Sequence, residues 1–325
     1  MNTIKSVIRG CGAYLPEKIV TNQELAKTVD TSHEWIVERT GIHQRHVAAE
    51  GEFTSDLATK AALMALDHAG LGPNDIDLII VATASPDFTF PSTATRVQHK
   101  IGNTKGLAYD VAGVCAGFLV GLDVADSYLR IGKVKRALVI GAEKVSSLLD
   151  MEDRTTCVLF GDGAGAVVLE AIEAKDNPDD RGIMGVHVQS DGRFCDILYA
   201  DGGPSSNGKV GKIKMSGQEV FKHAVTKLSE AAEFALTTHN VKSEEIDWFI
   251  PHQANLRIIE GMMRKLNLPP EKVIITLDRH ANTSAASIPL ALSEAVHSGK
   301  VKPGDLILHE AIGGGLVWGS ALLRF

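Results

Sequence analysis

The chain has 325 residues, of which 44% are hydrophobic and 22% are charged, which is typical of a globular protein with one large domain or two ordinary ones. Its formal net charge of −7 argues against nucleic acid as the main partner, because nucleic-acid binding requires basic surface. The four cysteines show neither a CxxC spacing nor a disulfide-rich pattern, which favours a reducing, cytoplasmic compartment and indicates no metal site.

The N-terminal residues lack a continuous apolar segment, so we expect neither a signal peptide nor membrane attachment. In chain order, periodicity and capping signals first predict a strand over 4–8, a turn at Gly10-Cys11-Gly12, a helix capped by Thr21 or Asn22, and a short helix over 32–37. A longer helix follows, capped by Thr54 or Ser55, with Met64 on its buried face and Gly70 at its end. The next predicted elements are a buried parallel strand over 78–82, a helix over 93–100, a strand over 136–141, and a glycine-rich turn over 160–165 that enters a strand over 166–169.

Cys115 lies in DVAGVCAGFLVGL, between a short apolar run and a stretch rich in Gly, Ala and Leu. A strand that turns directly into a buried helix places this cysteine near the helix N-terminus. There the helix dipole lowers the pKa of a thiol, and the thiolate is the reactive form. A free cysteine also packs well in a core, so its position alone does not establish a nucleophile.

The second half of the chain repeats the first at an offset of about 170 residues, as Ile76 and Ile246 illustrate. The matching segments are GPNDIDLIIVATAS with SEEIDWFIPHQAN, GKVKRALVIGAE with GKVKPGDLILHEA, and FGDGAGAVVLE with IGGGLVWGSALLRF. We therefore predict two homologous α/β halves over 1–173 and 183–325, joined by a charged, proline-containing linker over 174–182.

Unusual segments follow several predicted strands: Cys115, PHQAN at 251–255, HANTS at 280–284 and GGG at 313–315. Sites in such α/β proteins form where strand ends meet. The first half has no histidine at the position that corresponds to His252, so the scaffold does not require one. Asn282 could instead be a helix cap, and the glycines could simply form a tight turn.

Together, DVAGVCAGF, PHQANLRI, HANTSAAS and GGGLVWGSALLRF resemble the β-ketoacyl-acyl-carrier-protein synthase III family, the initiating condensing enzymes of type II fatty acid synthesis in the thiolase superfamily. The resemblance runs from end to end and includes SHEWIVERTGI near the start. It implies a thiolase-like fold whose two duplicated halves form a five-layered α/β/α/β/α core. One departure is Ala281, where many members have glycine, and we expect little effect from the extra methyl group.

The resemblance implies a decarboxylative Claisen condensation of a short acyl-CoA primer, such as acetyl-CoA, with malonyl-acyl-carrier protein. Cys115 would accept the acyl group, while His252 and Asn282 would donate hydrogen bonds to the enolate oxygen. The backbone N–H groups of Cys115 and Gly314 would form the oxyanion hole. Acyl-CoA is a substrate in this scheme, so no resident cofactor or metal is expected.

The resemblance also assigns binding residues. Trp35 and Arg154 would sandwich the CoA adenine, and Arg39 and Thr40 would contact its diphosphate or ribose. The pantetheine tunnel would be lined by Gly217, Phe221, Ala254 and Asn255. The acidic carrier protein would meet Lys222, Gln253, Ala254, Asn255, Leu256, Arg257, Arg264 and Lys265, although a merely solvated basic face is the ordinary alternative. In the implied homodimer, Phe90 would close the acyl pocket of the partner.

Three other functions remain open at this point. A specialised condensing relative could use another acceptor or extender. A non-catalytic homologue could keep the fold and bind a carrier protein, although an intact Cys115, His252 and Asn282 set argues against this. A cysteine hydrolase uses similar residue types, but nothing in the sequence indicates an activated water.

Overall fold

The computed structural model describes residues 4–174 and 181–325, so most of the predicted linker over 174–182 lies outside the described residues. The strands are β1 (Ile4–Tyr14), β2 (Lys18–Thr21), β3 (Gln44–Val47), β4 (Leu78–Ala82), β5 (Leu107–Val111), β6 (Arg136–Glu143), β7 (Gly163–Glu173), β8 (Gly182–Ser190), β9 (Leu198–Ala200), β10 (Ile213–Met215), β11 (Trp248–Phe249), β12 (Leu306–Gly313) and β13 (Val317–Arg324). The helices are α1 (Asn22–Leu25), α2 (His33–Thr40), α3 (Thr54–Ala69), α4 (Thr93–Ile101), α5 (Gly117–Arg130), α6 (Gly217–Thr238), α7 (Leu256–Leu266), α8 (Leu277–His280) and α9 (Ser287–His297).

Two main sheets repeat one topology. The first has the strand order β1-β7-β6-β4-β5, and the second has the order β8-β13-β12-β11 when read in the same direction. β4 runs parallel to β6, as β11 runs parallel to β12, while β7 and β13 are antiparallel to their neighbours. The repeated sequence segments thus occupy equivalent strands, and the predicted duplication is confirmed at the level of topology.

The helices pack in three layers around these sheets. α3 and α4 cover the outer face of the first sheet, α6 covers the second with α7 packed against α6, and α5 and α9 lie between the sheets. The central helices are rich in Gly, Ala and Leu, and most of α9 is buried, as expected for a helix enclosed on several sides. This arrangement is the predicted five-layered thiolase-like core.

Several predictions about local structure are correct. The apolar run of β4 is completely buried and pairs in parallel with both neighbours. The Thr21 hydroxyl caps α1 by accepting the N–H of Glu24, and Gly70 ends α3 in the left-handed conformation. No helix in the described part of the chain is long and apolar enough to cross a membrane.

The predicted turn at Gly10-Cys11-Gly12 is wrong, because β1 continues to Tyr14. The two glycines instead let the strand pack closely against α3, because a Cβ on Gly10 would clash with the backbone oxygen of Ala65 and one on Gly12 with that of Ala61. These glycines therefore mark a close approach of backbones rather than a turn.

The predicted start and face of α3 also need correction. Phe53 is the cap residue, and its N–H is bound by the Asp56 carboxylate, whereas the Thr54 hydroxyl donates to the backbone oxygen of Ser85. Met64, expected on the buried face, is exposed. The long-range bond of Thr54 to the end of β4 outweighs the local capping preference.

Candidate active site

Two equivalent turns meet between the sheets. In each, a residue with positive φ begins a 3-10 turn that leads into a central helix: Val114 (φ 47°) is followed by Cys115 and α5, and Ser284 (φ 51°) is followed by α9. The two turns pack against each other. A positive φ is unusual for a β-branched residue such as Val114, so the surrounding core must hold this turn in place.

Cys115 is buried at its turn, and burial raises the pKa of its thiol to about 12. The expected lowering of this pKa by a helix N-terminus is therefore wrong, because loss of hydration outweighs the dipole. A hydrogen bond with the Ser284 side chain acts in the opposite direction and lowers the pKa of Cys115. The nucleophile requires help to lose its proton.

The glycine run that follows β12 closes against this turn. A Cβ on Gly313 would lie 2.7 Å from the backbone nitrogen of Cys115, and a Cβ on Gly314 would lie 2.5 Å from the backbone oxygen of Leu198. The shared oxyanion hole with Gly314 stays a prediction.

His252 is buried beside the end of β12, where its backbone N–H donates to the Glu310 oxygen at 2.7 Å. Burial lowers the pKa of its imidazole to about 3, so the ring is neutral at pH 7. Its Nδ1 lies 2.6 Å from Ser287 Oγ, which also accepts the N–H of Gln253 at 3.3 Å. A Ser287 hydroxyl that donates to Nδ1 leaves the imidazole proton on Nε2, which is the tautomer that the predicted enolate contact requires.

Asn282 is held so that its amide group remains a donor. Its backbone N–H and oxygen bond to the Leu159 oxygen and the Gly161 N–H, both at 3.0 Å. Its side-chain Oδ1 accepts the N–H of Ser284 at 2.9 Å. The bond at Oδ1 therefore leaves Nδ2 as the free donor, as the predicted enolate contact requires.

One cavity of about 250 Å³ connects these residues with the surface. Cys115, His252 and Asn282 line it together. The predicted CoA residues that also line it are Trp35, Arg39, Thr40, Gly217, Phe221, Ala254 and Asn255. Sequence reasoning gave no binding role to the remaining lining residues, which are Thr155, Val158, Leu159, Phe160, Leu198, Met215, Val220, Ile258 and Ile312.

For two predicted CoA contacts, Thr40 and Arg154, the structure shows existing hydrogen bonds that limit the predicted role. The Thr40 hydroxyl donates to the Ile36 oxygen and accepts the N–H of Ile42, so its proton is not available to a diphosphate. The Arg154 guanidinium lies 5.5 Å from the Trp35 ring centroid and bonds to Asp30. Since an adenine between them needs about 7 Å, Arg154 must move before a sandwich can form.

Among the predicted carrier-protein contacts, Gln253 is wrong. Its side chain is fully buried and bonds to four backbone groups, those of Pro251, Ile274, Thr276 and Leu277. The cationic residues are exposed on α6 and α7, namely Lys222, Arg257, Arg264 and Lys265, and their contact with a carrier protein stays a prediction. Leu256, Ala254 and Asn255 are half-buried, and Asn255 also caps α7 through the N–H of Arg257.

Phe90 lies away from the cavity of its own chain, and its side chain is 83% exposed. Its entry into the acyl pocket of a partner subunit stays a prediction. Sequence reasoning also missed Ser287 and the buried acid Glu143, which bonds to Ser284. Both are ordinary residues within helix and strand patterns, so no local signal marked them.

A duplicated five-layered core, with a cysteine, a histidine and an asparagine around one tunnel, defines a condensing enzyme of the thiolase-like class. Models described as 3-oxoacyl-[acyl-carrier-protein (ACP)] synthase III and its C-terminal part match residues 109–192 and 236–325. The chain belongs to the 3-oxoacyl-[acyl-carrier-protein] synthase III family.

Relatives match along the whole chain. A protein from Paramagnetospirillum magneticum named β-ketoacyl-[acyl-carrier-protein] synthase III is 60% identical over 321 residues, which cover 99% of both chains. A protein of the same name from Bradyrhizobium diazoefficiens is 57% identical over 326 residues, and the match covers 100% of both chains. The crystal structure of 3-oxoacyl-[acyl-carrier-protein] synthase III from Aquifex aeolicus is 48% identical, with a TM-score of 0.92 over 98% of this chain and 100% of that chain.

Proposed function

We propose that the protein condenses a short acyl-CoA primer with malonyl-acyl-carrier protein, giving a 3-oxoacyl-carrier protein, CO2 and CoA, and so initiates fatty acid synthesis. The observation that carries this proposal is the shared tunnel, which has Cys115, His252 and Asn282 at one end and Trp35 and Arg39 among its other lining residues. The names of the relatives support the same reaction.

In the first half-reaction, the Cys115 sulfur attacks the carbonyl carbon of the acyl-CoA thioester. The N–H groups of Cys115 and Gly314 stabilise the resulting oxyanion, and CoA leaves with one proton. The narrow, largely apolar tunnel suits a pantetheine chain and excludes water from the acyl-enzyme. The acyl group then waits on Cys115 for the second substrate.

In the second half-reaction, malonyl-carrier protein loses CO2 and leaves negative charge on its thioester oxygen. His252 Nε2 and Asn282 Nδ2 donate to that oxygen, which stabilises charge that develops only in the transition state. A neutral histidine suits this role, and burial keeps the pKa of His252 near 3. The new carbanion attacks the carbonyl carbon of acyl-Cys115 and forms the carbon–carbon bond. The tetrahedral intermediate then expels the Cys115 sulfur, which takes up a proton from solvent, and the 3-oxoacyl-carrier protein is released.

The proposed partners follow from the surface around the tunnel. Arg257, Arg264, Lys265 and Lys222 are exposed on neighbouring helices and suit an acidic carrier protein. Phe90 extends outward and suits a homodimer contact. We expect no resident cofactor, because every proposed step uses only the two substrates and protein groups, and we expect the protein to act in the cytoplasm.

Mass spectrometry and product analysis test the two half-reactions separately. After treatment with acetyl-CoA, the wild-type enzyme should gain one acetyl group on Cys115, and Cys115→Ser should gain none there. His252→Ala should still acetylate but should lose decarboxylation by about a hundredfold. Normal condensation by His252→Ala would contradict the enolate role, and absence of acetylation at Cys115 would favour a non-catalytic carrier-protein binder.

The identity of the extender separates the closest alternative. A specialised relative would turn over malonyl-CoA or another acceptor but not malonyl-carrier protein, whereas the proposed enzyme requires the carrier-bound form. A panel of straight and branched primers from acetyl-CoA to octanoyl-CoA then defines the primer preference. No turnover of malonyl-carrier protein with any primer would overturn the proposed function.

A further inference from the structure

Gln253 follows His252 in the chain, but its side chain is completely buried and does not line the tunnel. Its amide group forms four hydrogen bonds, all with backbone groups: the nitrogen donates to the oxygens of Pro251 at 2.9 Å and Ile274 at 3.2 Å, and the oxygen accepts the N–H groups of Thr276 at 2.9 Å and Leu277 at 3.1 Å. A primary amide has two donor hydrogens and two acceptor lone pairs, so its whole hydrogen-bonding capacity is used.

The amide nitrogen of Gln253 extends a pairing that the backbone itself does not continue. Phe249 in β11 pairs with Val273, and its oxygen accepts the N–H of Ile274 at 3.0 Å. Pro251 has no N–H, and Gln253 supplies the next donor between the two segments. Because this amide group is buried, water does not replace a lost bond, and each loss leaves a backbone group unpaired.

The amide oxygen of Gln253 caps the short helix α8 from another segment of the chain. Thr276, the N-cap residue of α8, forms no capping bond through its own side chain. Gln253 Oε1 instead accepts the first N–H groups of the helix. The helix ends at Ala281, directly before Asn282. Gln253 therefore connects the segment of one proposed enolate donor, His252, with the helix that leads to the other.

A second link joins the same segments on the other side of Asn282. The backbone N–H of Gln253 donates to Ser287 Oγ at 3.3 Å, and that oxygen lies 2.6 Å from His252 Nδ1. Asn282 thus lies between two positions, 276–277 and Ser287, that are both bonded to residues of the PHQAN segment. A change at the Gln253 side chain releases one of these links and keeps the other.

We propose that Gln253 is a positioning residue that fixes the separation of His252 Nε2 and Asn282 Nδ2, so that both donate to one enolate oxygen. Two donors stabilise one developing charge only when both lie within hydrogen-bond distance of it, and a displacement of about 1 Å costs about a hundredfold in rate. None of the four bonds of the Gln253 amide involves Cys115 or its turn, so acylation does not depend on them. This inference rests on the proposed function, in which the two donors stabilise an enolate.

Three roles for Gln253 predict different kinetics. A carrier-protein contact would mainly raise the KM for malonyl-carrier protein. A residue that only stabilises the fold would slow both half-reactions together as the protein loses stability. A positioning residue lowers the rate of CO2 release and leaves both KM values and the acetylation of Cys115 close to those of the wild type.

The first experiment uses Gln253→Met, which keeps the length of the side chain and removes all four bonds. Acetylated enzyme is mixed with malonyl-carrier protein, and CO2 release is followed in a single turnover, while acetylation by acetyl-CoA is timed separately by mass spectrometry. We expect CO2 release to be about a hundredfold slower and acetylation to keep its wild-type rate. Equal slowing of both half-reactions, or a raised KM for malonyl-carrier protein at unchanged kcat, would overturn the proposal.

Gln98→Met is the matched control. Gln98 lies in α4, and its amide nitrogen bonds to Asn103 Oδ1 at 3.0 Å and to the backbone oxygen of Gly106. The variant therefore loses glutamine bonds that hold a loop away from the proposed site, and it should lower the Tm without separating the two half-reactions. A selective loss of CO2 release in Gln98→Met as well would overturn the assignment to Gln253.

A double-mutant cycle tests whether Gln253 acts through the pair of donors. In a His252→Ala background the separation of the donors no longer matters, so Gln253→Met should cost only about tenfold in CO2 release. An equal, hundredfold cost in both backgrounds would mean that the two changes act independently, and the proposal would be wrong. If Gln253→Met fails to fold, Gln253→Glu replaces it, because the carboxyl group keeps acceptors for the N–H groups of α8 and loses one donor. Gln253→Glu should slow CO2 release about tenfold and leave acetylation unchanged, and equal slowing of both would contradict the proposal.

The link itself is measured without any substrate. Amide hydrogen exchange over residues 276–282 should be about tenfold faster in Gln253→Met than in the wild type, and unchanged in Gln98→Met. Unchanged exchange in Gln253→Met would show that Gln253 does not hold α8 and would overturn the proposal whatever the enzyme's activity. Faster exchange in an enzyme that releases no CO2 from malonyl-carrier protein would instead overturn the proposed function, and with it the enolate role, while the link between Gln253 and α8 would stand.

Discussion

Ser287 Oγ lies 2.6 Å from His252 Nδ1 and holds the orientation of the imidazole ring. The serine is the first residue of α9, and the histidine follows β11, so the contact joins two elements of the second half. Without this bond the imidazole could rotate or place its proton on Nδ1, and the enolate would lose a donor. The bond is therefore a determinant of decarboxylation rather than of acylation.

We expect Ser287→Ala to slow decarboxylation of malonyl-carrier protein about tenfold, corresponding to about 1.4 kcal/mol. Acetylation of Cys115 should stay at the wild-type rate, because Ser287 contacts His252 and not Cys115. Ser293→Ala is the matched control, since Ser293 is also buried in α9 and its hydroxyl has no hydrogen-bond partner. Equal decarboxylation rates in the Ser287 and Ser293 variants would show that the bond does not orient the ring.

The departure at Ala281 has a larger effect than its single methyl group suggests. Ala281 has φ 59° and ψ −164°, a conformation that is essentially restricted to glycine. In Ala281→Gly, relief of the backbone strain would stabilise the folded state by up to about 3 kcal/mol. The greater flexibility of glycine in the unfolded chain would cost about 1 kcal/mol, and the loss of a buried methyl group about 0.8 kcal/mol. The gain is therefore larger than the two losses together.

Thermal unfolding should thus show Ala281→Gly to be more stable than the wild type by about 1 kcal/mol, or about 2 °C in Tm. Ala285→Gly provides the comparison, because Ala285 is buried in the next turn without a positive φ, and its loss should destabilise the protein. The expectation of little effect from Ala281 is wrong if this gain is measured. An unchanged or lower Tm for Ala281→Gly would mean that the neighbouring turn relieves the strain.

Acid should destabilise the protein through His252. The pKa of this buried imidazole is about 3 in the folded state and about 6.5 in the unfolded chain. Between these values the unfolded state binds more protons, so the free energy of unfolding falls as pH decreases. Denaturant titrations should show that the wild type loses about 2 kcal/mol more than His252→Gln between pH 6.5 and 4.5. Parallel loss in both proteins would indicate that His252 becomes protonated while folded.

The basic face of α7 should act on the carrier protein and not on CoA. We expect Arg264→Glu to raise the KM for malonyl-carrier protein about tenfold at low salt, with the difference shrinking at high salt because the ions screen exposed charges. The KM for acyl-CoA should stay unchanged. Lys242→Glu makes the same charge change beyond the far end of α6, about 30 Å from its start, and should have little effect. Similar KM increases in both variants would point to net charge rather than to a defined docking face.

The sequence by itself determined the duplicated α/β architecture and the identities of Cys115, His252 and Asn282. Hydrophobic runs and repeated segments are patterns along the chain, so they can be recognised without knowledge of the fold. The tunnel residues Trp35, Phe221 and Asn255 were also predictable, because they lie in or near recognisable motifs.

Only the tertiary structure decided how the site is tuned. It showed that burial raises the pKa of Cys115 and that Gln253 is buried and bonded to backbone groups, so it is not a docking residue. It also showed that Glu143 forms a hydrogen bond with Ser284, which lies 141 positions away in the chain. These properties depend on solvent exclusion and on contacts between distant segments. Neither quantity is encoded in the spacing of residues along the chain, so neither could be inferred before the two halves were packed together.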